Sequence, residues 1–79
     1  MTIDVLAFGV IKEIVNGAVV KIDIGGTTVA SLKADLELQY PRLKQLTSFM
    51  IAVNGEYAGN ETIIKQGDEV AIIPPVSGG

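Results

Sequence analysis

Seventy-nine residues, 48% hydrophobic and 19% charged, make one domain near the lower size at which a hydrophobic core alone sustains a fold. The chain has no cysteine and no histidine, which argues against a disulfide framework, a zinc site and a hydrolase triad. Net charge is −3 and the six basic residues are dispersed, so nucleic acid is a poor partner; no apolar run approaches membrane-spanning length, and a soluble, cytoplasmic protein is expected.

The first segment, "TIDVLAF" over residues 2–8, is rich in β-branched residues and reads as a strand. Alternation places Ile3, Val5 and Ala7 on one face and Asp4, Leu6 and Phe8 on the other. Gly9 ends it, and "VIKEIVNG" fits a short helix closed by Asn16-Gly17. Residues 18–24, "AVVKIDI", form a second strand stopped by Gly25-Gly26, close enough in sequence to pair antiparallel with the first.

The longest helical signal starts at Thr27-Thr28, where either hydroxyl can cap. Val29, Leu32, Leu36, Tyr40 and Leu43 follow at spacings of three and four, a single helical stripe. Pro41 ends the regular helix near Tyr40, and "RLKQLTS" becomes a turn or a short irregular helix. "FMIAVNGEYA" is a strand, an Asn54-Gly55 turn and a short return strand. Residues 59–67 are turn-like, with Ile63 and Ile64 as plugs. After Gly67-Asp68 comes the last strand, "EVAIIP", and Pro74-Pro75, without N–H donors, stop its pairing.

Strands flanking one dominant amphipathic helix describe an α+β fold, a sheet covered on one face. The other face, with Leu6, Phe8, Tyr57 and Ile73 as candidates, lies open. The mean hydropathy of +0.43 is high for so small a domain, which points to an apolar surface that meets another protein. Strand alternation by itself does not say which face meets the helix.

The element order, together with "FGVIKEIVNG", "AVNGEY" and the closing "GDEVAIIPPVSGG", resembles the ubiquitin-like (β-grasp) sulfur carriers, in particular those of the molybdopterin synthase type. The resemblance covers essentially the whole chain as one ubiquitin-like domain, 1–79, with residues 74–79 as an extended tail. It implies a β-grasp fold with a mixed sheet of about five strands and one main helix. It also implies that Gly79 is the reactive residue. An adenylyltransferase of the ubiquitin-activating type would consume ATP to adenylate its carboxylate, and a sulfur donor would convert that to a thiocarboxylate.

The tail Pro74, Pro75, Val76, Ser77 and Gly78 would thread into the large subunit of molybdopterin synthase, in a heterotetramer of two small and two large subunits. There Gly79 would give sulfur to cyclic pyranopterin monophosphate in molybdenum cofactor biosynthesis. Phe8, Tyr57 and Ile73 would form the partner interface. The carrier would not be an enzyme by itself and would bind no metal or cofactor. Lys12 stands where the family often has arginine, and Ile73 where it often has an aromatic residue. The thiazole-forming sulfur carrier, which shares the fold and the Gly-Gly end, is the next reading, and a tRNA-thiolation carrier or protein modifier is a third. A ubiquitin-like binding module with an inert tail is the alternative from another class. For Asp68 and Glu69 the readings are turn chemistry and a recognition patch.

Overall fold

The computed structural model describes residues 1–46 and 49–75. Five strands form one mixed sheet: β1 (Thr2–Ala7), β2 (Val19–Asp23), β3 (Met50–Val53), β4 (Glu56–Ala58) and β5 (Val70–Ile73), in the order β2-β1-β5-β3-β4. β1 and β5 are parallel at the centre and all other neighbours are antiparallel. The short α1 (Val10–Val15) joins β1 to β2, and α2 (Val29–Gln39) crosses between the two halves of the sheet. The expected α+β architecture, a ubiquitin-like β-grasp, is what the chain forms.

Local chemistry sets the boundaries. Thr28 caps α2: its hydroxyl accepts the Ser31 N–H at 3.2 Å. Tyr40 closes that helix, and Pro41 opens a 3-10 helix over Pro41–Gln45, where its missing N–H costs nothing. Leu43 therefore reaches the core from the short irregular helix expected after Pro41, beside the stripe that α2 carries. α1 ends on Asn16 in the left-handed conformation, φ 62°. Strands are slightly shorter than the apolar runs: Phe8 lies one residue beyond β1, and Ala18 and Ile24 flank β2.

The core is a continuous cluster between α2 and one sheet face. Ile3, Val5 and Ala7 of β1, Ile22 of β2, Ile51 of β3, and Val70 and Ile72 of β5 meet Val29, Leu32 and Leu36 of α2. Ile11 and Val15 of α1 close one end. Ile64 is buried as expected, but Ile63 is not a plug. It is 54% exposed, because its bridge to Thr28 and the Ile64 N–H bond to the Thr27 carbonyl turn adjacent residues to opposite sides.

Candidate functional site

The helix settles which face is open. Because Ile3, Val5 and Ala7 point at α2, Thr2, Asp4 and Leu6 point away. The strand registers then fix the whole outer face. Val19 pairs with Leu6, Leu6 with Ala71, Ala71 with Ala52, and Ala52 with Tyr57, so one apolar row crosses all five strands. Ile73 pairs with Met50 in the next row, toward the end where β5 runs out. The opposite end is polar: Asp4 faces Lys21 at 3.2 Å, and Thr2 faces Asp23.

Small residues lie at the centre of the apolar half and larger ones around it. The result is an open groove of about 340 Å³ lined by Leu6, Phe8, Ala52, Gly55, Tyr57, Glu69, Ala71 and Ile73. Phe8 is 48% exposed and Tyr57 67%, while Ile73 is half-buried. All three sequence-predicted interface residues thus line one groove. Ala52 and Ala71 were not read from the sequence, and Glu69 was read as turn chemistry or a recognition patch and not as part of this lining. Finding them required the register of the hairpin against β5, which fixes which neighbours share a face. Of the seven large apolar residues exposed among the described residues, Phe8, Val19, Met50 and Tyr57 lie at this groove or in the rows beside it. The hydropathy excess is therefore concentrated, not scattered.

The tail leaves from the same end. Pro74 and Pro75 are half-buried and follow β5 directly, so the groove is continuous with the tail's root. Val76, Ser77, Gly78 and Gly79 lie outside the described residues.

Asp68 and Glu69 separate into different roles. One Asp68 carboxylate oxygen accepts the Lys65 N–H at 2.8 Å, and the other accepts the Asn54 side-chain amide at 3.1 Å. These bonds, the Lys65 one foremost, hold its carboxyl below the ordinary 3.8. Both oxygens are thus engaged in joining turns. Glu69 uses its backbone for the same clasp and stands exposed at the groove's rim. Lys12 and Glu13 are exposed on α1, away from the groove lining. Among the described residues no three acidic, histidine or cysteine side chains come together as a metal-holding group, and no helix is long and apolar enough to cross a membrane.

Such a sheet with one covering helix, an open apolar groove and a tail at its edge defines the class as ubiquitin-like. Residues 5–79 match the ThiS family, and the chain belongs to it. The molybdopterin synthase sulfur carrier subunit of Arabidopsis thaliana is 39% identical over 98% of this chain and 82% of its own. Among solved structures, small archaeal modifier protein 1 of Haloferax volcanii superposes with a TM-score of 0.81 at 26% identity, covering 100% of both chains. The complex of subunits 1 and 2 of molybdopterin-converting factor from Helicobacter pylori gives a TM-score of 0.69 at 30% identity, again over 100% of both chains.

Proposed function

We propose that this chain is the sulfur-carrier subunit of a molybdopterin synthase, acting through the carboxylate of Gly79. The observation that carries the reading is the apolar row across all five strands, which runs into the strand from which the tail leaves. A partner bound on that groove receives the tail at a fixed edge. The partner is the large subunit, which would hold the catalytic residues; the Helicobacter pylori complex of subunits 1 and 2 supports a second subunit as partner by likeness. Similarity to carriers named for molybdopterin synthase supports the same assignment.

The chemistry uses no side chain of the carrier. A carboxylate is a poor electrophile until it acquires a leaving group. An activating enzyme would supply one: a Gly79 carboxylate oxygen attacks the α-phosphorus of ATP and displaces pyrophosphate. A sulfide-level nucleophile then attacks the acyl carbon and displaces AMP, leaving a terminal thiocarboxylate. Bound to the large subunit, that sulfur forms a bond to a carbon of the pyranopterin precursor and displaces an oxygen leaving group, giving a thioester. Water then cleaves the acyl–sulfur bond, so that the sulfur stays on the pterin and the carrier leaves as carboxylate. Gly78 and Gly79 suit a narrow channel because they present only backbone. Pro74 and Pro75 limit the conformations that must be ordered on insertion.

Charging is directly measurable. Incubation with ATP, an activating enzyme and a sulfur source should raise the intact mass by the difference between sulfur and oxygen, with the change localised to Gly79. Sulfur found on any other residue would overturn the reading. The likeness to small archaeal modifier protein 1 favours one other use of the same carboxylate, attachment to a lysine of another protein. In the same incubation that use would appear as a covalent adduct with loss of water.

A further inference from the structure

β1 and β5 run in parallel side by side as far as Ala7 and Ile72, and the chain just beyond them keeps Gly9 beside Pro74. Pro74, the first residue of the tail, stands two residues past Ile72 as Gly9 stands two past Ala7. The contact is close. A β-carbon at Gly9 would stand 3.1 Å from Cγ of Pro74, inside the normal carbon–carbon separation. Gly9 also has φ 56° and ψ −133°, a region that residues with side chains avoid. It occupies the second position of a tight turn, in which the Ile11 N–H donates to the Phe8 carbonyl at 3.1 Å, and α1 starts from that turn.

Pro74 is unusually restricted. Its own ring fixes φ, and Pro75 after it confines ψ to extended values. Where the ring sits therefore determines the direction in which the chain continues. We infer that Gly9 is a positioning residue for the tail: its bare α-carbon is the seat on which the Pro74 ring rests, and this seat sets the start of the path to Gly79. The inference rests on the sulfur-carrier reading above. Gly79 lies five positions beyond Pro74, a reach of at most about 17 Å, and the reacting carbonyl must arrive at a fixed depth in two different partners. A seat raised by one methyl group displaces the start of that path.

The test is a double-mutant cycle with Gly9→Ala, Pro74→Ala and the double variant, read as the rate of ATP-dependent charging of Gly79. Each single variant should charge roughly tenfold more slowly at saturating activating enzyme, because misplacement of a reacting group by about 1 Å is costly. Apparent KM and affinity for the large subunit should stay within about twofold, since the groove is unaltered; a general loss of fold would move both. Pro74→Ala removes the atom that the new methyl group would meet. The double variant should therefore be no slower than the slower single, whereas independent effects would multiply.

Wild-type rates in both singles, or multiplying losses in the double, would overturn the inference while leaving the carrier reading intact. No charging of the unaltered chain would instead sink the carrier reading and this inference with it. A second measurement does not depend on charging or on how Gly9→Ala folds. Nuclear Overhauser contacts between the Gly9 α-protons and the Pro74 ring γ-protons are expected in the unaltered chain, and their absence would remove the seat.

Discussion

Asn54 shows how one residue serves a turn and a clasp together. It takes φ 54° at the β3–β4 turn, beside Gly55 at φ 84°, as a two-residue hairpin requires. Its side-chain oxygen accepts the Glu69 N–H at 2.9 Å, its amide donates to Asp68, and its own N–H donates to the Glu69 carbonyl at 2.7 Å. The hairpin is thereby tied to the start of β5. The turn was legible from Asn-Gly alone. The clasp was not, because it joins residues fourteen apart or more and depends on β3 pairing with β5. Ile63 failed for a related reason: two adjacent isoleucines look alike until a bridge decides which one faces inward.

The clasp has a pH consequence. Asp68 titrates below 3.8 in the folded chain, so its contribution is complete above that value and is lost as pH falls through the lower folded value. Asn54→Ala removes one of the two bonds to the carboxylate and should move the Asp68 midpoint upward, while the Lys65 bond keeps it below 3.8. A carboxyl-carbon NMR titration of both proteins checks this. An unchanged midpoint would mean that the Asn54 bond contributes nothing in solution.

At the level of elements, the sheet has two faces of opposite character, and substitutions should separate them. Ile51 of β3 is fully buried under α2, and Ile51→Ala should cost about 2–5 kcal/mol in urea unfolding. Tyr57 lies on the neighbouring strand but on the open side, so Tyr57→Asp should change stability by only about 0.5 kcal/mol. The same Tyr57→Asp, or Phe8→Asp, should weaken association with the large subunit tenfold or more, because a carboxylate buried in an apolar groove is poorly solvated. Unfolding of either aspartate variant would instead place those rings in the core. The strand and helix order was readable because each element carries its own apolar period and a turn or cap at its end. The open face was not fixed by alternation, since β1 has apolar residues on both sides, and only α2 packing on Ile3, Val5 and Ala7 decided it.

The molecule as a whole separates holding from reacting. Its groove is formed by strands within residues 1–73, whereas the proposed reaction takes place at the last residue. Adding one residue after Gly79, or replacing Gly78 with Phe, should therefore leave the fold and the association with the large subunit intact and abolish conversion of the pyranopterin precursor. The reason is geometric. An extra residue moves the terminal carboxylate past the depth at which, on the proposed reading, the activating enzyme and the large subunit would act. A benzyl group at position 78 widens a chain that, on the proposed reading, would pass through a channel suited to backbone alone. Size measurement of the variant with its large subunit would confirm the complex, and precursor conversion would report the chemistry. Full conversion by the extended variant, with mass showing the extra residue still attached, would mean that Gly79 carries no sulfur. Loss of both the complex and conversion would assign the tail to binding. Loss of conversion with the complex retained would assign the sheet to recognition and the tail to transfer, so that a side chain is required only for the first of these.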